Sequence, residues 1–91
     1  MYITEAHDTK TMHLTIITPD RKVFEGSVQQ VTLPGSIGPF QVLQDHAPLV
    51  STLQKGTMLY GSERNKHVLD IREGLVEVVN NRITVLLTSA T

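Results

Sequence analysis

Four histidines are the side chains of this 91-residue chain most able to do chemistry: His7, His13, His46 and His67. No two of them have the i, i+4 spacing by which a helix presents two imidazoles to one zinc ion. The chain contains no cysteine, which excludes thiolate metal sites, thiol nucleophiles and disulfides. We therefore expect neither a metal site nor a cofactor.

Asp45 and His46 are adjacent and suggest an acid–base pair, with Ser36 or Ser51 as a possible nucleophile. Such catalysis needs the base and the nucleophile within hydrogen-bond reach, whereas neighbours along a strand point to opposite faces. Neither serine lies in the Gly-x-Ser-x-Gly pattern of a nucleophile elbow. The sequence therefore favours a chain without a catalytic dyad.

Two further patterns also lack the context that their chemistry requires. Glu73 and Glu77 could act as general acid and base, but they fit the solvated side of a strand, with Glu73 at a kink. Gly35 and Gly38 are not followed by the lysine and helix of a phosphate-binding loop. We expect no catalytic residues and no small-molecule substrate.

One irregular stretch interrupts the otherwise regular pattern, the segment LPGSIGPFQVLQDHAPLV from Leu33 to Val50. Pro34-Gly35 is a turn signal, and Gly38-Pro39 is a second breaker. Loops held by a rigid scaffold often carry binding, so this stretch is a candidate recognition loop with His46 at its exit. The alternative is a shaped surface loop in which the ring of His46 caps nearby backbone groups.

The remaining sequence predicts short strands. Leu14 and Ile16 alternate with threonine, Gly26 indicates a bulge or bend in the next strand, and Asn80-Asn81 favours a tight hairpin. No ten-residue window keeps a helical period. The fold class predicted is all-β, a small antiparallel β-sandwich or flattened barrel of about eight to ten short strands.

The length of 91 residues predicts one domain, residues 12–91, and residues 1–11, which are polar and lack a clean period, are expected to form a loose leader. The formal net charge is -1 and the basic residues are scattered, so nucleic acid is not an expected partner. No apolar run approaches the roughly 20 residues that span a bilayer, so membrane contact would come only through a partner. Phe24, Phe40 and Tyr60 are expected in the core or at its rim.

From Leu14 to Ala90 the chain resembles the N-terminal β-sandwich of the epsilon subunit of F-type ATP synthases. The motifs that carry the resemblance occur in the family's order: LTIITPDRKVFEG, VTLPGSIGPFQVL, HAPLVSTLQKG, REGLVEVVNNRITVL and TSA. The resemblance implies a non-catalytic rotor subunit of the central stalk, which joins the gamma subunit to the membrane c ring and couples proton transport to ATP synthesis. It would be peripheral, on the cytoplasmic face of a bacterial cell membrane. The alternative from fold class alone is a small-ligand-binding β-barrel unrelated to ATP synthase.

The resemblance implies a c-ring contact that can be carried over by position, whereas candidates for the gamma contact are chosen as apolar positions of one sheet. Val42 and Leu43 are candidates for the gamma contact, with the core as the alternative, whereas Val76 and Val78 are expected in the core. The c-ring contact would be made by Gly35, Ser36, Gly38, Pro39, Phe40, Asp45 and His46.

The chain also departs from the family pattern. At the position of Pro39 the family usually has an acidic residue, and that acidic residue contacts the polar loops of the ring. Because proline has no charge, we do not expect a charge pair with the ring at this position. Glycine is usual at Gln41, and Pro-Gly or a similar small pair at Gln44-Asp45. Family members usually continue into a helical hairpin, a segment that these 91 residues do not contain.

Overall fold

A computed structural model describes residues 11–90, and within that range it contains strands and no helix. The leader predicted at the start of the chain lies almost wholly outside the described residues. The prediction of eight to ten short strands is confirmed. Within residues 11–90 the strands are nine: β1 (Met12–Thr18), β2 (Arg21–Val28), β3 (Gln30–Pro34), β4 (Pro39–Val42), β5 (Leu49–Leu53), β6 (Gly56–Gly61), β7 (Lys66–Ile71), β8 (Gly74–Val79) and β9 (Arg82–Leu87).

The strands form two sheets that pack face to face as a sandwich. The five-stranded sheet has the order β2-β1-β9-β8-β5, and the four-stranded sheet has the order β4-β3-β6-β7. Every pair is antiparallel except β1 with β9, which run parallel, with Leu14 opposite Ile83. Local alternation predicts strands but not their partners, so the parallel pair between the first and last strands was not predicted.

The core lies between the sheets and follows from the two-residue period of the strands. In β1 every second side chain is buried, and β9 shows the same alternation from Ile83 to Leu87. Val76 and Val78 are 0% and 1% exposed, which confirms their prediction as core residues. Tyr60 is buried as well, while Phe24 and Phe40 are partly buried against the core, as expected.

The bulge in β2 is at Val23, not at Gly26. Ile16 pairs with Phe24 and the next residue of β1 pairs with Lys22, so Val23 is the extra residue. Gly26 stays in register opposite Leu14, and the prediction of a bulge there is wrong. A Cβ atom on Gly26 would lie 3.1 Å from the Phe24 ring, so the glycine leaves space for that ring.

The hairpin between β8 and β9 turns at Asn80 and Asn81, which confirms the predicted tight connection. Their φ angles are 50° and 61°, the left-handed values that a type I′ turn requires at both central positions. The carbonyl oxygen of Asn81 also accepts a 2.9 Å hydrogen bond from the backbone N–H of His13. The turn is thereby fixed to β1 as well as to its own strands.

We expect Ile83→Ala to lower the free energy of unfolding by about 2–5 kcal/mol, because it leaves a cavity between the sheets. Leu86→Ala is the matched control on the same strand, since Ile83 is 1% exposed and Leu86 is 46% exposed. That control should cost less than about 1 kcal/mol. Guanidinium unfolding measures both losses, and equal losses would contradict the assigned register.

Candidate functional site: the β4–β5 edge

The irregular stretch of the sequence follows one side of the sandwich. β4 is an edge strand of the four-stranded sheet, and β5 is an edge strand of the five-stranded sheet. The chain turns into β4, crosses between the sheets and returns along β5. We call residues 35–53 the β4–β5 edge. It contains every residue that the sequence predicted to contact another subunit.

The first end of this edge is the loop between β3 and β4, and β5 holds it in place. Gly35 forms a bridge with Leu53, and the Ser36 N–H donates to the carbonyl oxygen of Thr52 at 3.1 Å. The Thr52 hydroxyl donates to the Ser36 hydroxyl at 2.9 Å. A further 3.1 Å bond from the Gly38 N–H to the Gly35 carbonyl closes the loop.

Close packing explains why glycine stands at position 35. A Cβ atom there would lie 2.7 Å from the carbonyl oxygen of Gly38 and 2.9 Å from the ring of Phe40. Both distances are below any ordinary contact, so a larger residue would displace the loop or the ring. Phe40 packs against the core, and its ring holds the loop in place on the side that faces the core.

The second end of the edge is a turn from Leu43 to His46, closed by a 3.1 Å hydrogen bond from the His46 N–H to the Leu43 carbonyl. Asp45 occupies the third position of this turn with a φ of 66°. Type II turns require a positive φ at that position, and glycine or asparagine is the usual residue. Aspartate tolerates this conformation better than most residues because its short side chain can bond nearby groups.

Asn81 supplies those bonds from the hairpin between β8 and β9. Its side-chain oxygen accepts a 2.6 Å hydrogen bond from the Asp45 N–H, and its amide nitrogen donates to the Asp45 carboxylate at 3.2 Å. This pair joins the two sheets at one end of the sandwich. No local pattern in the sequence indicates it, because the two residues are far apart along the chain.

The predicted ring contacts therefore fall into two groups on the same edge. The two groups are separated by the length of β5, which spans about 14 Å from Leu49 to Leu53. Leu43 and Val50, 51% and 65% exposed, are apolar side chains on this same edge. The first group is Gly35, Ser36, Gly38, Pro39 and Phe40, of which Gly35 is buried and presents no surface to a partner, and the second is Asp45 and His46.

Of the two residues predicted to contact the gamma subunit, one is buried and one is accessible. Val42 is 0% exposed, because it pairs with Val31 and points between the sheets. Its side chain presents no surface, so the core alternative replaces the contact predicted for it. Leu43 is half-exposed just after β4 and stays a predicted contact.

The acid–base pair that the adjacent Asp45 and His46 suggested, and that the sequence disfavoured, is not assembled with a nucleophile. Nδ1 of His46 lies 2.7 Å from the carbonyl oxygen of Ala47, an acceptor, so that nitrogen carries the hydrogen. Ser36 lies at the other end of the edge, and the Ser51 hydroxyl donates to the carbonyl of Thr52. The bond from Nδ1 to the Ala47 carbonyl gives His46 the backbone-capping geometry that was the alternative interpretation.

The other candidate groups are also separate. Glu73 lies at the bend before β8 and Glu77 lies within β8, and both side chains are exposed to solvent. Within residues 11–90, no three His, Asp or Glu side chains are grouped so as to hold a metal ion. His7 lies outside that range. The same range has no helix with the length and apolarity needed to cross a membrane.

The outer face of the five-stranded sheet carries an apolar row that the sequence analysis did not identify. Leu86 lies opposite Leu75 on one side and Ile17 on the other, and all three point away from the core. Leu86 and Leu75 are 46% and 38% exposed. The three residues lie on three different strands, so the row can be recognised only when the order of those strands in the sheet is known.

Charged groups lie beside this row on β2. Lys22 donates a hydrogen bond to the Glu25 carboxylate, and His13 contacts the other carboxylate oxygen at 2.8 Å. The bond from Lys22, followed by that from His13, lowers the pKa of Glu25 below its ordinary value. The lowered pKa keeps the Glu25 carboxylate ionised to lower pH than usual, and this charge marks a polar border to the apolar row.

The space between the sheets is filled by the apolar core, and the clefts that the structure describes open to solvent between loops. Fold and edge together define the class: a packed two-sheet β-sandwich whose irregular segment forms one side. A family model for the ATP synthase delta/epsilon chain β-sandwich domain matches residues 11–91. The chain belongs to this family.

Relatives in bacteria carry the description ATP synthase epsilon chain. Those of Nitratidesulfovibrio vulgaris strain Miyazaki F and Pelotomaculum thermopropionicum are each 40% identical over 81 residues. In both cases the match covers 89% of this chain and 60% of the relative. The chain thus spans about 60% of the length of the curated relatives it matches.

Two solved structures have the same fold. A chain of the Euglena gracilis mitochondrial ATP synthase, in an assembly of OSCP, F1 and c-ring, superposes with a TM-score of 0.82 at 21% identity. A chain of the Tetrahymena thermophila central stalk and c-ring superposes with a TM-score of 0.75 at 12% identity. The matches cover 91% and 88% of this chain, and 53% and 65% of those chains.

The bond between Asn81 and Asp45 can be tested with paired glycine variants, since glycine keeps the positive φ of the turn without strain. Asn81→Gly removes the side chain that binds Asp45 and should destabilise the chain by about 0.5–1.5 kcal/mol more than Asn80→Gly. It should also speed hydrogen exchange at the Asp45 N–H. Equal stabilities and unchanged exchange would contradict a structural role for this bond.

Proposed function

We propose that this chain is the non-catalytic β-sandwich of a central-stalk subunit in an F-type ATP synthase. In this role it joins the gamma subunit to the membrane c ring and couples proton transport to ATP synthesis. Family membership over residues 11–91 is the observation that carries the proposal. The subunit would be peripheral, held on the cytoplasmic face of a bacterial cell membrane by the complex and not by lipid.

The geometry of the β4–β5 edge supports a ring as its partner. The edge presents two contact groups, one at the Ser36 loop and one at the turn of Asp45, about 14 Å apart. Both are fixed by hydrogen bonds, the first to β5 and the second to the turn between β8 and β9. A broad, repeating surface can reach both groups at once, whereas a small ligand cannot.

Rigidity suits a part that transmits torque. An element that bends under load stores the motion instead of passing it on, and flexible loops also pay an ordering cost on binding. The side-chain bonds of the edge bridge the two sheets, from Asn81 to Asp45 at one end and from Thr52 to Ser36 at the other. A force applied at either end of the edge is therefore transmitted to both sheets.

The gamma contact would extend to a surface away from the β4–β5 edge. Leu43 is the predicted contact, and the apolar row of Ile17, Leu75 and Leu86 offers a second apolar surface on an outer sheet face. Its polar border near Glu25 resembles the rim of a protein interface. This surface leaves the β4–β5 edge free, so both partners can be bound together.

The proposal is tested by mixing the chain with the cognate gamma subunit and the detergent-solubilised c ring, followed by size-exclusion chromatography with a molar-mass detector. We expect a complex that contains gamma and the ring. Correctly folded chain that enters no complex with either partner would refute the proposal.

A matched pair of variants tests whether the ring binds at the β4–β5 edge. Val50 on β5 and Val68 on β7, at opposite sides of the sandwich, are each 65% exposed. Val50→Ser should weaken ring binding roughly tenfold, about 1.4 kcal/mol, whereas Val68→Ser should leave it unchanged. The reverse order of effects would place the ring on the other side of the sandwich.

A further inference from the structure

The β4–β5 edge begins in a stretch without formal charge. Residues 26–44 contain no Asp, Glu, Lys or Arg, and the flanking charges are Glu25 and Asp45. The β3–β4 loop, residues 35–38, lies within this stretch. A partner that recognised the loop through ion pairs would find no charged side chain on it.

Ile37 stands at the tip of this loop and is 105% exposed, as accessible as in an extended chain. A lone exposed apolar residue is ordinary on a protein surface. Ile37 differs in its setting, because its neighbours on both sides are held. The Ser36 N–H bonds Thr52, the Gly38 N–H bonds Gly35, and the next residue is a proline of fixed φ.

The loop therefore presents a large apolar side chain in a fixed position. Interface residues that contribute most to the binding free energy fill well-packed, desolvated pockets, and pre-ordering reduces the entropy lost on binding. Isoleucine is also stiff, since its branched Cβ restricts χ1. These properties suit a residue that packs against apolar atoms of a partner.

We infer that Ile37 is an apolar anchor that packs against uncharged, apolar side-chain atoms of the c-ring loops, so that this contact is formed by burial and not by an ion pair. The inference rests on the proposed function, which brings the β4–β5 edge to the ring. The charge pattern argues for the chemistry of this contact, because an uncharged loop complements an uncharged surface. Its consequence is ring binding that depends little on salt.

The experiment measures the dissociation constant between the full 91-residue chain and the purified cognate c ring in detergent, at 50 and at 500 mM salt. We expect Ile37→Ser to weaken binding roughly tenfold or more at both salt concentrations. Ile37→Leu should stay within about threefold, since it keeps the buried volume. Val68→Ser is the control for loss of an exposed apolar side chain elsewhere, and thermal unfolding checks that each variant is folded.

Ile37→Asp separates the two kinds of recognition. An apolar contact surface should reject the carboxylate, with a loss at least as large as that of Ile37→Ser. Tighter binding of Ile37→Asp at 50 mM salt, lost at 500 mM, would overturn the inference by revealing a basic partner site. Unchanged binding of Ile37→Ser would also overturn it, while leaving the proposed function in place.

Two further outcomes are distinct. Failure of the unsubstituted chain to bind the ring would refute the ring contact of the proposed function, and the inference with it. Equal, Ile37-dependent binding to protein-free vesicles of phosphatidylcholine and phosphatidylglycerol would overturn the ring as the occupant. Absence of vesicle binding, together with Ile37-dependent ring binding, is the expected result.

Discussion

Burial of alternate side chains between the two sheets is the constraint on which the rest of this structure depends. A strand that slipped by one residue would turn its apolar side chains to solvent, so the core fixes the register of every strand. The effect reaches the β4–β5 edge directly. Because Val42 must point inward opposite Val31, Gln41 and Leu43 face out, and the turn that follows begins at a set position.

That fixed start explains why an unusual backbone conformation persists at Asp45. The turn has to bring the chain from one sheet to the other within residues 43–48, and a positive φ at Asp45 reverses its direction. Asn81 stabilises this conformation from a second turn that also has positive φ. Two strained turns thus support each other through a pair of hydrogen bonds, which compensates part of their conformational cost.

Sequence reasoning predicted the elements well and their partners poorly. Alternation marked the strands, and Asn80-Asn81 marked its hairpin, because these signals are local. The position of the bulge at Val23 depends on how β2 meets β1, and the separation of Ser36 from Asp45 depends on β5 lying between them. Val42 illustrates the same limit: its apolar character fits an interface and a core equally, and only the pairing with Val31 decides.

The parallel pairing of β1 with β9 also governs how the chain can fold. The five-stranded sheet stays incomplete until β9 inserts beside β1, so His13 cannot meet Arg82 before all of residues 13–82 are available. Closing so long a loop is costly in chain entropy, and sheets built on such distant contacts form slowly. Until then β1 has one unpaired edge and an uncovered apolar face, the features that promote aggregation. Newly made chains would therefore be most in need of chaperone protection in the interval before β9 is added.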